Sequence, residues 1–524
     1  MRVEVIVLIC YFIGMIGIGI YWNKRAKKSE DFLLGGRSMG PFITALTLQT
    51  TAMSGYMFMG GPSLAYQVGW FAVFYAVGDA GGAIINVGLL AKRMRRLSQI
   101  LDCISPVEYL EKRYESIPVK VIASVVTIFG LAGYVLAQFL AAGKTLSRLF
   151  DFPFVPGLII GVTVILFYTF VGGYFAVAWT DVIQGIIMVS AVLGVLVLSL
   201  KDIGGLTGLN EGLGKLDPTY LSVWGKDLKY EGAYSVIAGA VGIYLIGYLG
   251  LPHVVIKHMA LASPKEAKTT MIYATVWNQL FIFSPYIIGL CGILLLPNLK
   301  DHEMVIPELA FKLFPGVIAA IALTAIMSAI MSTVAALLLL TGTVLSIDIY
   351  KRWLRPEAQD RDVVKMSRIA ILGVTIIGLI IAIIQPPHVF ELVIFSFGVM
   401  SCAFMPSYVF AVWWKNANAG GAVASMLVGG LTNLICTIIG TKIDPFFIGV
   451  VVSFLAFIIG NHFGKPVSPE MKESFERATA KNALISTRIE AAQSKQLASE
   501  GNAVEQFVFG SDYMINRGFN LTCC

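Results

Sequence analysis

Two apolar segments of this sequence are interrupted at their centres, and they decide the fold. The first, PFITALTLQTTAMSGYMFMGGP at residues 41–62, carries hydroxyls and glycines in its middle, and the second is GAVGIYLIGYLGLPH at residues 239–253. Glycine and proline weaken a helix interior, so we predict a helix break in each segment. The alternative is that membrane helices simply tolerate these residues.

The composition is that of a polytopic membrane protein. Of the 524 residues 57% are hydrophobic and only 14% are charged, and the mean hydropathy is +0.77. An ordinary soluble domain has about 25% charged residues. Because a transmembrane helix needs about 20 apolar residues, we predict an all-α integral membrane protein with about 13 transmembrane helices, near residues 3–22, 41–62, 69–91, 118–143, 153–173, 179–200, 232–256, 268–297, 314–346, 367–385, 388–413, 419–440 and 445–462.

The order of these spans indicates internal symmetry. Five spans separate the starts of the two interrupted segments, so the second segment begins with the opposite orientation. This arrangement is typical of two inverted five-helix repeats, in which the first helix of each repeat is discontinuous and frees backbone groups for an ion and a solute.

The basic residues predict the orientation of the chain. With the N-terminus outside, the inside loops carry 22 Lys and Arg and the outside loops carry 10. This asymmetry follows the positive-inside rule and predicts a cytoplasmic C-terminal tail. The net charge of +7 consists mostly of these residues, so we expect a lipid bilayer as the partner and no nucleic acid. No obligate protein partner is evident.

Neutral oxygens in two segments suit a sodium ion. Sodium needs about five oxygens, which unwound carbonyls and Ser or Thr hydroxyls can supply without a buried carboxylate. One candidate is the break from Thr50 to Gly55, and the other is the adjacent pair Ser332 and Thr333 in an apolar helix. Such hydroxyls also commonly bond the carbonyl one turn back in their own helix.

Several motifs, in order along about residues 5–465, resemble the sodium:solute symporter family, and especially its bacterial proline and pantothenate carriers. They are LGGRSMGPFITALT with the following AMSG, FVGGYFAVAWTDVIQG at 170–185, GLPH at 250–253, AIMSTVAALLL with SIDIY in 329–350, and NANAGGAVASMLVGG at 416–430.

The resemblance implies a five-plus-five inverted-repeat (LeuT-like) core with one extra helix before it and two after it. The expected division is an N-terminal helix and inside loop at 1–40, a transport core at 41–415, two C-terminal helices at 416–464, and a cytoplasmic tail at 465–524. A charged surface helix is expected within that tail.

The resemblance also implies the site residues. The sodium ligands fall on the carbonyls of Thr50, Met53 and Ala329 and on the hydroxyls of Ser332 and Thr333. The solute-binding positions fall on Tyr134, Tyr244, Tyr248 and Pro252. Asp181 resembles an aspartate on the sodium exit route, although beside Trp179 it could instead anchor its helix at the membrane interface.

This chain differs from the proline carriers at two positions that bear on the identity of the substrate. Proline carriers have an aspartate where this chain has Ala52 and a tryptophan where it has Tyr244. The segments GLPH, IPELAFKLFPG at 306–316 and IIGNHFGKPV at 458–467 look closer to the pantothenate carriers.

These observations predict a sodium-coupled secondary active symporter in the cytoplasmic membrane, which imports a small organic solute by alternating access. An amino acid such as proline and a carboxylate such as pantothenate are both candidate solutes. The alternatives are a proton-coupled transporter that uses the intramembrane Asp79, a channel or a membrane sensor. A metal cluster, a nucleophile elbow and a phosphate loop are all missing from the sequence, so we do not expect an enzyme and expect sodium as the one metal ion.

Overall fold

A computed structural model describes residues 3–23, 28–226, 232, 234–384 and 389–480. Its α-helices are α1 (Val3–Asn23), α2 (Ser29–Leu34), α3 (Pro41–Ala52), α4 (Gly55–Phe58), α5 (Gly60–Val68), α6 (Val73–Asn86), α7 (Lys92–Ile100), α8 (Pro106–Tyr114), α9 (Ile117–Phe150), α10 (Phe154–Ile203), α11 (Gly205–Leu216), α12 (Gly242–Leu245), α13 (Pro252–Ala260), α14 (Ala267–Phe281), α15 (Ser284–Leu295), α16 (Val305–Leu313), α17 (Gly316–Thr343), α18 (Asp360–Ile383), α19 (Val389–Trp413), α20 (Ala419–Ile439), α21 (Pro445–Phe463) and α22 (Pro469–Thr479).

The predicted all-α membrane architecture is confirmed. Across the described ranges, nine helices are long and apolar enough to cross a membrane, and two shorter apolar helices cover Ile6–Trp22 and Phe154–Phe167. The number thirteen stays a prediction, because broken and bent spans divide into pieces that do not match the expected segments one by one. Part of the predicted tail helix is present as α22, and the remainder of that segment, from residue 481, lies outside the described residues.

The two spans that the sequence predicts as separate helices, 153–173 and 179–200, together form α10, and the non-helical residue Gly173 divides α10 into two helical parts. The bend lies at Gly173, whose φ of 61° is a backbone conformation that L side chains rarely adopt. A Cβ atom at this position would also lie 2.5 Å from Cδ2 of Phe32. Glycine is therefore required both by the bend and by the close approach of α2.

Among the candidate membrane spans of the described residues, the one that contains α17 is the most buried. Every residue in its most apolar 18-residue window is buried, whereas only about a third of the corresponding window is buried in α20 and less in α21. Its neighbours include α3, α9 and α10. Any polar group on α17 is therefore placed inside the protein and away from lipid.

Two backbone hydrogen bonds tie the start of the first broken segment to the end of the second. The amide of Met39 donates to the carbonyl of Ala260 at 3.2 Å, and the amide of Ala262 donates to the carbonyl of Met39 at 3.0 Å. These bonds form an isolated parallel bridge between Met39 and Leu261. Arg95 reinforces the bridge by donating from Nη2 to the carbonyl of Ala262 at 3.0 Å.

Helix α6 packs closely against the second broken segment because it presents glycine there. A Cβ atom added at Gly78 would lie 2.2 Å from the carbonyl oxygen of Val241, and one at Gly82 would lie 2.6 Å from that of Tyr244. Both contacts are with backbone atoms, which cannot move aside as a flexible side chain could.

We expect Gly78→Ala to destabilise the protein by about 1–3 kcal/mol, because the added methyl group overpacks a backbone contact. The matched control is Gly373→Ala in α18, where a Cβ atom would meet nothing within 4 Å. This control should be neutral or slightly stabilising, since alanine favours a helix interior. Thermal unfolding in detergent measures both, and equal melting temperatures for the two variants would contradict the packing argument.

Candidate sodium and solute sites

The first predicted helix break is present, between α3 and α4. Helix α3 ends at Ala52, and Met53 and Ser54 have non-helical backbone angles. The Ser54 hydroxyl caps the next helix by accepting from the amide of Tyr56 at 3.1 Å. The amide of Gly55 donates to Oε1 of Gln138 on α9 at 2.9 Å. The break thus has specific partners and exposes backbone groups inside the helix bundle.

The hydroxyls of Ser332 and Thr333 on α17 face this break. Ser332 Oγ donates to the carbonyl of Thr50 at 3.0 Å, and Thr333 Oγ1 donates to the carbonyl of Thr51 at 3.1 Å. Each hydroxyl also lies within 3.1 Å of the Ala329 carbonyl one turn back. Each hydroxyl is therefore close to a carbonyl of its own helix, as the alternative predicts, and also to a carbonyl of α3. The two hydroxyls thus connect α17 to α3.

A chain of hydrogen bonds links four of the five predicted sodium ligands, Thr50, Ser332, Ala329 and Thr333. Met53 lies at the break itself, where its amide donates to the carbonyl of Gln49 at 2.7 Å. Thr51 lies within the break that the sequence indicated but is not among the five predicted ligands; its carbonyl bonds Thr333, and its buried hydroxyl has no hydrogen-bond partner among the described residues. Its position beside Thr50 in an unwinding helix was the available signal.

The second predicted break is also present. After α12 the chain forms a short 3₁₀ turn at Gly247–Gly250 and an extended residue, Leu251, before α13 begins at Pro252. Ser401 on α19 donates to the free carbonyl of Gly247 at 2.9 Å. Pro252 is suited to its position because the first residue of a helix needs no amide hydrogen.

Three of the predicted solute-binding residues belong to one buried aromatic cluster around Phe397 of α19. The ring centroids of Tyr134, Tyr244 and Tyr248 lie 5.6, 5.5 and 5.7 Å from that of Phe397. All four rings are less than 5% exposed. Tyr134 comes from α9 and the other two tyrosines come from the second break, so the cluster joins the two repeats.

The cluster contains residues that the sequence did not single out. Phe397 is one, and His253, whose ring lies 5.5 Å from Tyr134, is another. Both nitrogens of His253 are buried without a hydrogen-bond partner among the described residues. Tyr56, from the first break, extends the cluster with its ring 5.8 Å from Tyr244. The location of Tyr56 and His253 on broken segments was the signal that could have identified them.

Asp181 lies in a separate buried polar cluster at the start of the first broken segment. Its carboxylate accepts a hydrogen bond from Thr47 on α3, and Lys257 on α13 donates to that same Thr47 hydroxyl at 2.9 Å. The Lys257 ammonium lies 4.0 Å from Asp181 Oδ2. Complete burial of Asp181 does not fit an anchor at the membrane interface.

The chemistry of the first site is that of neutral oxygen ligands. Within the described ranges there is no group of three or more His, Cys, Asp or Glu residues that could hold a metal ion. Carbonyl and hydroxyl oxygens bind hard cations, and a site without carboxylates suits a monovalent ion better than a divalent one. The arrangement therefore offers the type of ligand that a monovalent cation uses.

Comparison with known proteins agrees with the family resemblance seen in the sequence. The model of the Sodium:solute symporter family matches residues 32–429. The osmoregulated proline transporter OpuE of Bacillus subtilis (strain 168) is 29% identical over 88% of this chain and 94% of its own length. The Sodium/proline symporter of Staphylococcus aureus (strain USA300) is 30% identical over 82% of this chain and 85% of its own length.

Solved structures share the fold. A Na⁺-coupled sialic acid symporter in a substrate-bound, outward-open state superposes with a TM-score of 0.76 at 21% identity, over 89% of this chain and 99% of that one. Mhp1, a nucleobase-cation-symport-1 family transporter, gives a TM-score of 0.56 at 14% identity, over 85% and 98% of the two chains. These neighbours confirm the five-plus-five, LeuT-like fold, and with residues 32–429 matched the chain belongs to the sodium:solute symporter family.

Proposed function

We propose that this sodium-coupled solute symporter imports a small amino acid, with proline as the first candidate, and that sodium binds between α3 and α17. The observation that carries the sodium site is the pair of hydroxyl-to-carbonyl contacts from Ser332 and Thr333 to Thr50 and Thr51. The relatives named above support proline as the solute, as does a buried aromatic cluster that can enclose a small apolar ring.

Sodium would replace these hydrogen bonds with ion contacts. Each hydroxyl now donates its hydrogen to a carbonyl, and each can rotate so that a lone pair faces a cation instead. The ion would then hold α3 and α17 together through several oxygens. Because the two helices belong to different repeats, the bound ion favours those conformations in which the repeats lie close at this point.

The solute would bind beside the second break, against Tyr134, Tyr244, Tyr248 and Pro252. Coupling follows if sodium and solute favour the same arrangement of the two broken segments, since each ligand then raises the affinity for the other. Rocking of one repeat against the other would release both ligands on the opposite side.

The protein is a multi-pass protein of the cell membrane, and we propose that its N-terminus is outside. This orientation puts 22 basic residues in inside loops and 10 in outside loops. It also puts the Met39–Leu261 bridge and the Asp181 cluster towards the cytoplasm. Asp181 would then contact sodium on its way out of the site.

Uptake into proteoliposomes tests the substrate and the driving ion together. We expect labelled proline to accumulate when a sodium gradient is imposed, and not when a proton gradient or no gradient is imposed. Pantothenate and other small carboxylates serve as alternative substrates in the same panel. Proton-driven uptake would contradict the sodium site, and sodium-driven uptake of pantothenate alone would contradict the amino-acid assignment.

We expect Ser332→Ala and Thr333→Ala to raise the sodium concentration for half-maximal uptake by about tenfold to a hundredfold, because a bond to a charged group contributes about 1.5–3 kcal/mol. The matched control is Thr341→Val in the same helix, whose hydroxyl bonds the carbonyl of Leu337 one turn back at 2.8 Å. Sodium activation curves at saturating solute give the comparison. Unchanged curves in both alanine variants would remove these hydroxyls from the site.

We expect Asp181→Asn to keep sodium-dependent solute binding but to slow turnover by about tenfold, equivalent to about 1.4 kcal/mol on the barrier, since the ion loses a charged group on its exit route. Thr180→Val is the control, because the Thr180 hydroxyl bonds the carbonyl of Ala176 one turn back. Equilibrium binding and initial uptake rates separate the two effects. Normal turnover in Asp181→Asn would exclude an exit role.

A further inference from the structure

Asp79 is a buried carboxylate at the edge of the aromatic cluster. It lies on α6 and is 2% exposed. Its Oδ2 atom accepts a hydrogen bond of 2.9 Å from the hydroxyl of Tyr248, one of the residues that we place at the solute site. Asn278 on α14 donates to the Asp79 backbone carbonyl at 2.8 Å, which fixes α6 at this residue.

The glycines of α6 put this carboxylate beside the second break. Gly78 lies against the backbone of Val241, and Gly82 lies against both the backbone of Tyr244 and the ring of Tyr248. Larger residues would hold α6 away from the broken segment. The position of Asp79 relative to Tyr248 is therefore determined by backbone packing and does not depend on a flexible loop.

Asp79 also lacks the nearby ammonium group that two other buried aspartates, Asp348 and Asp181, have. Asp348 lies 3.4 Å from the ammonium of Lys120, and Asp181 lies 4.0 Å from that of Lys257. For Asp79, none of the described Lys, Arg or His side chains forms an ion pair with the carboxylate. A charged carboxylate at membrane depth is costly unless it is paired, so a cation from outside the protein would be bound favourably here.

The aromatic rings around Asp79 favour an organic ammonium group as the cation. Tyr248 contacts Phe397 and Tyr244, and Tyr244 in turn contacts Tyr75, with ring centroids 5.7, 5.9 and 6.0 Å apart respectively. Aromatic faces attract organic ammonium groups, and they also pack against the ring or side chain of an amino acid. A carboxylate next to such a cluster suits a ligand with a positive and an apolar part.

We propose that Asp79 is a specificity-determining residue that pairs with the ammonium group of a zwitterionic amino-acid solute, with Tyr248 orienting the carboxylate. This inference rests on the proposed amino-acid transport and adds the chemical requirement that the solute carries a cationic nitrogen. Carboxylates without a basic nitrogen, pantothenate among them, would leave Asp79 buried without a counter-charge and would bind poorly.

The test is sodium-dependent equilibrium binding of two labelled ligands, proline and cyclopentanecarboxylate, to the purified full-length protein. The second ligand keeps the five-membered ring and the carboxylate but has no amine. In the wild type, proline should bind at least about 30-fold more tightly, the effect expected of a buried charge pair. Asp79→Asn should weaken proline binding by a similar factor and change cyclopentanecarboxylate binding by no more than about threefold, or under 1 kcal/mol.

Two further variants control for structural damage. Asp348→Asn removes a buried carboxylate whose partners, Ser105 and Lys120, do not belong to the aromatic cluster, and it should leave the preference for proline unchanged. Tyr248→Phe keeps the ring but removes the hydroxyl that orients Asp79, and it should reduce the preference by a smaller factor than Asp79→Asn. If Asp79→Asn does not fold, a full wild-type preference in Tyr248→Phe would overturn the proposal.

The outcomes separate this inference from the proposed function. Equal weakening of both ligands in Asp79→Asn would overturn the ammonium pairing and leave proline transport intact. A raised sodium requirement with an unchanged preference for proline would assign Asp79 to an ion site and overturn the pairing. A wild-type protein that binds cyclopentanecarboxylate or pantothenate and not proline would overturn the inference together with the amino-acid function.

Discussion

The structure depends on one constraint, which is that a backbone group freed by a helix break inside a membrane must find a partner in the protein. Water is absent there, and an unpaired amide or carbonyl costs several kcal/mol. The two predicted breaks each free such groups, and at each of them a side chain from another helix supplies the partner. At the first break, Gln138 accepts a hydrogen bond from the amide of Gly55. Ser332 and Thr333 donate to the carbonyls of Thr50 and Thr51, respectively. At the second break, Ser401 donates to the carbonyl of Gly247.

The type of partner distinguishes the sites. Neutral hydroxyls hold the carbonyls of the first break, and such bonds can be exchanged for ion contacts at little net cost because both are made by the same oxygens. The Asp181 cluster is different, since it holds full charges whose separation is expensive in a buried site. Moving α3 away from α17 should therefore cost less free energy than separating Lys257 from Asp181 and Thr47.

Much of this could be predicted from the sequence, for physical reasons. Hydroxyls and glycines indicated the first break, glycines and a proline indicated the second, and adjacent hydroxyls in α17 indicated a polar site. Contacts between distant residues were not predictable in this way. Asp79 and Tyr248 are 169 residues apart, and the close packing of the α6 glycines against the second break brings them together. Phe397 gave no signal because one aromatic residue in an apolar helix resembles ordinary packing. The sequence also predicted two spans that meet near Gly173, and the non-helical backbone of this glycine agrees with that boundary.

The bridge between Met39 and Leu261 has a consequence for how such a transporter can diversify. It consists of main-chain atoms, so exchanging one side chain for another leaves it in place unless proline removes an amide hydrogen. Residues of the aromatic cluster can therefore change with the transported solute. The free energy needed to separate the two broken segments at the Met39–Leu261 bridge stays nearly constant. Substrate specificity and the free energy of opening therefore depend on different parts of the chain. Substitutions that change the transported solute can leave the conformational change unaffected.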